Sequence, residues 1–270
     1  MVSARTPTDN PMIFPMRWLQ ELFVLTLPLW LPVPAQGHLP DVLQAGTDPV
    51  PVLVVPGWGD NAPDVEPIRQ RLIGVGWPES RVSTLSFMDP VGSNAEHAAE
   101  IETAARVLRG LTGADRIDIV AHSMGGLAVR YYLKQAADSE ADGVPVRRVV
   151  FLGTPHRGTV AAVLAWGDGG REMVPGSDFL MGLQQEGGVP EGVEALAVRT
   201  PVDLRVIPAS SAVLRGERVQ NVEICCPTHT QLVDDEQTFE VLLDFLVNGP
   251  DSVRDMGGRS VERLVGFSGG

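Results

Sequence analysis

The chain has 270 residues, of which 44% are hydrophobic and 20% are charged, and its formal net charge at pH 7 is −13. This length and apolar fraction are sufficient for the core of one large domain without a disulfide framework or a structural metal. The excess of acidic residues argues against a nucleic-acid partner, because such a partner requires a basic surface.

The N-terminal part of the chain contains an apolar run, Leu22–Leu31, which follows Arg17 and precedes the small residue Ala35. A positive charge, a short apolar stretch and a small residue at a cleavage point are the features of a secretory signal. Prolines interrupt the run, and it is too short to indicate a membrane span. We therefore expect a secreted or cell-envelope protein. The alternative is a cytoplasmic protein whose N-terminal segment packs on the domain or lies on a membrane surface.

From residue 49 onwards, short β-branched runs alternate with helical stretches. The predicted strands are Val50–Val55, Arg81–Phe87, Arg116–Ala121, Arg147–Leu152, Val193–Val198 and Asn221–Cys226. Helices are predicted over Asp64–Gly74, after an N-cap at Asn94, from Met124 to about Ala137, and around Phe239–Leu246. Nearly continuous apolar strands separated by helices predict a mostly parallel sheet with helices on both faces. Such a sheet binds its ligands at the carboxyl ends of its strands.

The alternation fails between about residues 155 and 191, where glycines are frequent and apolar residues are scattered. A long irregular insertion at the carboxyl edge of a sheet is often a lid or a substrate-binding segment, although a plain surface excursion has the same pattern. Four residues would suit an apolar lid or would pack inward: Trp166, Met173, Phe179 and Met181.

The two cysteines, Cys225 and Cys226, are neighbours in the sequence. A bond between adjacent cysteines is strained and rare, so the pair does not indicate a disulfide framework. We expect two small apolar side chains on the last buried strand.

The strongest motif is the pentapeptide Ala121–Gly125, which follows a predicted strand and precedes a predicted helix. Small residues two positions before and two after Ser123 are required in a nucleophile elbow, where a sharp turn lifts a serine hydroxyl out of the sheet. The helix after Ser123 also directs its amino end towards the hydroxyl, which favours a developing oxyanion. The context therefore predicts Ser123 as a nucleophile, and the alternative is a serine in an ordinary strand–helix turn.

A serine nucleophile needs a base, and the chain contains five histidines. His38 precedes the domain, His97 lies on a helix where we expect it to be solvated, and the side chain of His122 should point away from that of Ser123. In parallel sheets with a nucleophile elbow, the general base follows the last strand, so His229 is favoured over His156. We expect His156 to position a loop near the site.

The histidine base needs a carboxylate partner. In proteins with a nucleophile elbow the chain order is serine, acid, histidine, so this carboxylate should lie between Ser123 and His229 in the sequence. Asp203 stands just after the fifth predicted strand, where a strand-end carboxylate should be. Five other acids compete with it: Asp138, Asp142, Asp168, Glu172 and Asp178. An oxyanion additionally needs two backbone N–H donors. We assign these to Met124, directly after the nucleophile, and to Trp58, in the glycine turn after the first strand.

With these residues in place, the chain resembles the small bacterial class-2 triacylglycerol lipases of the α/β-hydrolase superfamily. The resemblance covers about residues 49–247 and rests on PVLVVPGWGD, DIVAHSMGGLAVRYYL, VVFLGTPHRGT, DLRVIPASSAVL and NVEICCPTH. In that family an aspartate precedes V-x-P and a Ser-Ala pair, which supports Asp203. One departure is Pro56, where the family usually has histidine.

The resemblance implies an α/β-hydrolase fold, no cofactor, and cleavage of small-molecule or lipid carboxylic esters, with transient contact at a lipid interface. The sequence patterns divide the chain into three regions: an N-terminal segment that is a possible signal or anchor (1–48), a hydrolase domain with a lid-like insertion at about 155–191 (49–249) and a flexible tail (250–270). The alternatives are an acyltransferase or thioesterase with the same residues, or a hydrolase fold retained as a binding module. No histidine–carboxylate spacing indicates a metal site, and the turn at Gly57 and Gly59 lacks the lysine of a phosphate-binding loop.

Overall fold

A six-stranded parallel sheet forms the centre of the molecule. The computed structural model describes residues 48–139, 143–184 and 188–252. The strands are β1 (Val52–Val55), β2 (Val82–Thr84), β3 (Ile117–His122), β4 (Val146–Leu152), β5 (Glu194–Arg199) and β6 (Val219–Glu223), in the spatial order β2-β1-β3-β4-β5-β6. Every pairing is parallel, so the predicted sheet is confirmed. The predicted signal segment and residues 253–270 of the predicted tail lie outside the described residues.

Six α-helices accompany the sheet in the described ranges. They are α1 (Ala62–Gly74), α2 (Asn94–Thr112), α3 (Gly125–Ser139), α4 (Gly167–Glu172), α5 (Asp178–Gln184) and α6 (Glu236–Asn248). The prediction of Asn94 as a helix cap is wrong by one residue, because the Ser93 hydroxyl accepts the N–H of Glu96 at 3.2 Å. None of the described helices is long and apolar enough to cross a membrane.

Alternation along the strands distributes the core between the two faces of the sheet. In β1, Val52 and Val54 pack with residues of α1 and α6, whereas Leu53 and Val55 pack with residues of α2 and α3. Successive side chains of a strand point to opposite faces, so a strand covered on both faces has to be apolar throughout. All four side chains are fully buried, and each such burial contributes roughly 1.5–3 kcal/mol.

The strand order creates a crevice between β1 and β3. The chain leaves β1 for the edge strand β2 and then returns through α2 to β3, on the other side of β1. The loops after β1 and β3 therefore diverge, and ligands of open α/β sheets bind where this happens. Because Val55 is paired with Ala121, the turn after β1 lies beside the elbow after β3.

The predicted insertion contains a 3-10 turn (Val160–Leu164) and the helices α4 and α5. Met173 and Phe179 pack inward against Met124 and Leu127, and they form a third apolar cluster above the carboxyl edge of the sheet. Trp166, in contrast, is 66% exposed. Met181 is also half exposed. Of the four apolar residues singled out in the insertion, two therefore pack inward and two are exposed.

A polar contact fixes the second half of the insertion to the domain. One carboxylate oxygen of Glu172 accepts both the backbone N–H and the side-chain amide of Asn94, each at 2.7 Å. The N–H of Gly169 donates to the carbonyl of Val91 at 3.1 Å. Helix α4 is thus held against the amino end of α2 and the loop before it.

Two further sequence-based expectations are wrong. Cys225 and Cys226 are exposed, lie beyond the end of β6, and form a disulfide with each other. The apolar run extends past the strand because the ladder of β6 ends where its partner β5 ends, at the Arg199–Glu223 pair. His97 is buried rather than solvated: its ring stacks on Phe87 with centroids 3.8 Å apart.

Candidate active site

Ser123 occupies a strained turn between β3 and α3. Its φ of 53° makes it the only non-glycine residue with a positive φ in the described chain. Such a conformation costs about 1–3 kcal/mol and persists only where its surroundings enforce it. The surroundings do so here, since the N–H of Ser123 donates to the carbonyl of Leu152 at 2.8 Å and its carbonyl accepts from Gly126 at 3.1 Å.

The small residues around Ser123 are dictated by close contacts. A Cβ on Gly125 would collide with the carbonyl oxygen of Pro56, and a Cβ on Gly126 would collide with the side chain of Thr154. Helix α3 therefore begins directly against the loops after β1 and β4. These contacts explain why the elbow pattern needs a small residue two positions after the serine, here Gly125, and why Gly126 follows it.

The structure brings the three predicted residues Ser123, Asp203 and His229 into one hydrogen-bonded row. His229 Nε2 lies 2.9 Å from Ser123 Oγ, and His229 Nδ1 lies 2.7 Å from Asp203 Oδ2. Both His229 and Asp203 are buried. The other carboxylate oxygen, Asp203 Oδ1, accepts the backbone N–H groups of Arg205 and Val206 at 2.8 Å each.

None of the competing acids that the structure describes is bonded to a histidine. Asp168 forms an ion pair with Arg171, and Glu172 binds Asn94. In the residues that the structure describes, neither Asp138 nor Asp178 bonds to a histidine. Asp142 lies outside those residues.

The environment of the row shifts two pKa values downwards. Burial is the largest cause of the lowered pKa of His229, and the charges of His122 and Arg205 act in the same direction, against the hydrogen bond to Asp203. Burial by itself would raise the pKa of Asp203, but the hydrogen bond and charge of His229, with the two backbone N–H donors, hold it below its usual value. His229 is therefore neutral and Asp203 ionised at neutral pH, as a base and its orienting carboxylate must be.

The two predicted oxyanion donors are unengaged. A Cβ on Gly57 would lie 2.8 Å from Ser123 Cβ, so the turn after β1 passes directly beside the elbow. The turn is fixed at its far end by a hydrogen bond from the N–H of Gly59 to Pro90 O at 2.9 Å. Within the described chain, the backbone N–H groups of Trp58 and Met124 donate to no protein acceptor. Unpaired N–H groups at such a position are available to an anionic oxygen.

Sequence reasoning missed a second polar contact beneath the site, between His122 and Asp60. His122 Nε2 lies 3.2 Å from the backbone oxygen of His229, and His122 Nδ1 lies 3.6 Å from Asp60 Oδ2. A Cβ on Gly57 would be 3.0 Å from that same Asp60 oxygen. The pair thus joins the turn after β1 to the loop of His229. Asp60 shares with Asp203 a position shortly after a strand, which is a sequence signal for the carboxylate but not for its contact with His122.

A cavity of about 330 Å³ opens at Ser123. Its lining is mostly apolar and comes from the turn after β1, the elbow, the insertion and the loop of Asp203: Trp58, Ser123, Pro155, Thr159, Ala161, Ala162, Leu164, Ala165, Trp166, Met173, Leu204, Arg205 and Val206. The rings of Trp58 and Trp166 meet edge to face at 4.5 Å, and Trp58 Nε1 donates to Trp166 O at 3.0 Å. Arg205 was also missed, although it stands two residues after the predicted acid.

The histidine kept as an alternative, His156, lies away from the hydrogen-bonded row. Its ring is buried edge-on against Phe151, at a centroid distance of 4.9 Å. Burial, followed by the charges of Arg130 and Arg157, lowers its pKa well below the ordinary value. In the described ranges its ring nitrogens have no hydrogen-bond partner, and no group of three or more His, Cys, Asp or Glu residues could hold a metal ion.

Comparison with known proteins identifies the fold. Residues 94–167 match the model of a domain of unknown function, DUF7379. Lipase B of Aspergillus fumigatus superposes with a TM-score of 0.62 at 18% identity, over 73% of this chain and 52% of the other. The present chain therefore has an α/β-hydrolase fold. The mature lipase BlEst2 of Bacillus licheniformis has a TM-score of 0.58 at 17% identity, over 74% of this chain and 92% of its own.

A phospholipase, PlaB of Legionella pneumophila, has a TM-score of 0.63 at 13% identity, over 77% of this chain and 62% of its own. The present chain spans about half the length of the Aspergillus lipase. The predicted fold class is confirmed, and the three structural neighbours described above are a fungal lipase, a bacterial lipase and a bacterial phospholipase.

Proposed function

We propose that the protein is a serine carboxylic-ester hydrolase, a lipase or esterase, that acts through Ser123, His229 and Asp203. The observation that carries the proposal is the continuous hydrogen-bonded row from Asp203 through His229 to Ser123 Oγ. A neutral imidazole within 2.9 Å of a serine hydroxyl is the arrangement that activates a serine nucleophile.

The first half of the reaction forms an acyl-enzyme. Ser123 Oγ attacks the ester carbonyl carbon while His229 Nε2 takes the hydroxyl proton. The carbonyl oxygen becomes an oxyanion and accepts the N–H groups of Trp58 and Met124. When the intermediate collapses, the bond to the alcohol oxygen breaks, and His229 returns the proton to the leaving alcohol.

The second half regenerates the enzyme. Water gives a proton to His229 and its oxygen attacks the acyl carbon, so the carboxylic acid leaves and Ser123 recovers its proton from His229. Asp203 remains ionised throughout: it holds Nδ1 of His229 in the protonated tautomer and stabilises the imidazolium that forms transiently. The two backbone N–H groups at Asp203 Oδ1 keep the carboxylate in place for this role.

The apolar cavity supports an ester with a hydrocarbon part. Leu164, Trp166 and Leu204 line it and are 84%, 66% and 81% exposed. We name these three residues the apolar rim. They suit a small-molecule or lipid ester and a transient contact with a lipid interface. The lipases among the structural neighbours and the sequence resemblance support membership of the class-2 triacylglycerol lipases, and export of the protein is proposed on the same resemblance.

The test is hydrolysis of p-nitrophenyl esters from acetyl to palmitoyl by the wild type and by Ser123→Ala. The matched control is Ser139→Ala, which removes an exposed hydroxyl bonded to Gln135 O at the end of α3. We expect the wild type and the control to hydrolyse the esters and Ser123→Ala to be inactive. The preferred acyl length then distinguishes an esterase from a lipase.

A fluorophosphonate probe provides an independent readout, because it should label Ser123 in the wild type and leave Ser123→Ala unlabelled. A folded wild-type protein that is labelled but hydrolyses no ester would favour an acyltransferase or thioesterase. One that is neither labelled nor active would favour a binding module.

A further inference from the structure

Among the residues that the structure describes, one charged residue lines the cavity at Ser123. Thirteen described residues form the lining, and Arg205 is the only one of these thirteen with a charge. Arg205 is exposed at the mouth, beside Leu204 of the apolar rim. The cavity therefore combines a hydrocarbon surface with a single guanidinium group.

Arg205 is held close to the reacting groups by its backbone. Its N–H donates to Asp203 Oδ1 at 2.8 Å, which fixes the loop one residue after Leu204 against the hydrogen-bonded row. Its charge is among the causes that lower the pKa of His229. The guanidinium group of Arg205 is thus close enough to His229 to act on it electrostatically.

The side chain of Arg205 differs from most other arginines near the sheet. Arg147 and Arg148 form ion pairs with Asp118 and Glu194, and Arg199 pairs with Glu223. In the described part of the chain, the guanidinium group of Arg205 has neither a carboxylate partner nor a hydrogen bond. In a chain with 34 acidic residues against 21 basic ones, this leaves a positive charge at the mouth of the cavity that no described carboxylate pairs with.

We infer that Arg205 binds an anionic group of the substrate, so that the cavity selects esters that carry a phosphate or carboxylate close to the scissile bond. This inference rests on the proposed function and adds the chemical class of the substrate. A guanidinium group presents paired N–H donors that match the oxygens of a phosphate or carboxylate. The apolar walls would hold the hydrocarbon part of the same molecule, so the substrate is an anionic amphiphilic ester.

The experiment compares three esters with the same acyl groups, at concentrations below aggregation. They are dihexanoylglycerol, dihexanoylglycerol phosphate and dihexanoylglycerol hemisuccinate, and the released hexanoate is measured. The quantity of interest is the ratio of kcat/KM for each anionic ester to that for the neutral one. This ratio cancels changes in the nucleophile or base that affect all three substrates equally.

We expect a ratio well above one in the wild type and a fall of about tenfold in Arg205→Ala, the range for a charge-assisted hydrogen bond at a partly exposed site. Arg205→Lys should retain part of the preference, because it keeps the charge but loses the paired donors. The control Arg106→Ala removes the same charge from the exposed side of α2 and should leave the ratio unchanged. Raising the ionic strength should reduce the wild-type ratio and have little effect in Arg205→Ala.

The outcomes separate this inference from the proposed function. A preference for both anionic esters supports a general anion site, and a preference for the phosphate alone supports a phospholipid-like substrate. Hydrolysis of all three esters with equal kcat/KM, or a preference that survives in Arg205→Ala, overturns the inference and leaves the ester hydrolase intact. A wild type that hydrolyses none of these esters and no p-nitrophenyl ester overturns both.

Discussion

The base of the cavity and its rim are built in opposite ways. At the base, Asp203 and His229 are buried, and each polar atom of the row has a defined hydrogen-bond partner. At the rim, Leu164 and Leu204 are more than four-fifths exposed. The base permits almost no change because backbones approach closely there, whereas the rim can change without disturbing the sheet. Reactivity and substrate preference should therefore respond to different substitutions.

The largest effect after loss of Ser123 is expected for Asp203→Asn, at the base. An amide in place of the carboxylate can no longer fix the tautomer of His229 or stabilise its charged form, so kcat should fall by about 10³–10⁴-fold. The measurement is steady-state hydrolysis of a p-nitrophenyl ester. The control is Asp168→Asn, at an acid that also competes for the role in the sequence but pairs with Arg171. Equal activities of the two variants would remove Asp203 from the mechanism.

A smaller loss is expected for Gly57→Ala. The added methyl group would lie 2.8 Å from Ser123 Cβ, so the turn that carries the N–H of Trp58 has to move away. Loss of one oxyanion donor lowers kcat by about 10²–10³-fold.

The matched control for that turn is Gly110→Ala in α2. A Cβ there meets no atom within 4 Å, and the change should stabilise the helix by about 0.5–1 kcal/mol. Thermal unfolding and kcat are measured for both variants. A Gly57→Ala enzyme with wild-type kcat would show that the turn does not supply the donor.

The pH dependence of kcat/KM reports the protonation of His229 at the bottom of the cavity. In the proposed mechanism His229 acts only when neutral, so activity should be lost as the pH falls through its pKa, about tenfold per unit below the midpoint. Because burial lowers that pKa, the midpoint should lie below the ordinary histidine value of 6.5.

Arg205→Ala sharpens this prediction. The charge of Arg205 contributes to the lowered pKa, so its removal should move the midpoint upwards, towards the ordinary value. The profile is recorded with two esters of different alcohols, whose midpoints should agree if the free enzyme titrates. A midpoint above 6.5 in the wild type would contradict the burial of His229.

The smallest effect is expected at the rim, for Trp166→Ala. The backbone carbonyl that accepts Trp58 Nε1 remains, but the exposed ring that lines the cavity is lost. We expect kcat/KM to fall by about three- to tenfold for long acyl chains, and far less for acetyl esters, because only long chains reach enough apolar surface. Met181→Ala is the control, since Met181 is also half exposed but does not line the cavity. A uniform fall of kcat/KM across all acyl lengths would mean that Trp166 affects the reacting groups rather than the binding of the acyl chain.

The sequence predicts the features that depend on local order. The sheet and the elbow follow from strand, turn and helix patterns within a few residues. The predictions of His229 and Asp203 rest on their positions after strands and, for Asp203, on the family resemblance as well. Contacts between distant segments were not predictable in this way. His97 lies on a helical stretch that looks solvated, and only the stacking of Phe87 from the preceding loop shows that it is buried.

The same distinction explains the other errors. The apolar run to Cys226 looks like strand to its end, but pairing with β5 determines where β6 stops. The contact of Asp60 with His122 and the position of Arg205 at the cavity depend on loops from different strands meeting at one edge. Substrate preference belongs to this second class, because the insertion and the loop of Asp203 form the cavity together.

The backbone of Ser123 also has a consequence for how such a protein evolves. Glycine adopts a φ near 53° without strain, so replacing Ser123 by glycine should relieve more strain than the added chain entropy of the unfolded state costs. On the proposed function, selection for hydrolysis keeps the less stable residue in place. In a descendant without that selection, Ser123→Gly would remove the nucleophile and is expected to raise the free energy of unfolding, which is a direct route from a hydrolase to an inert scaffold.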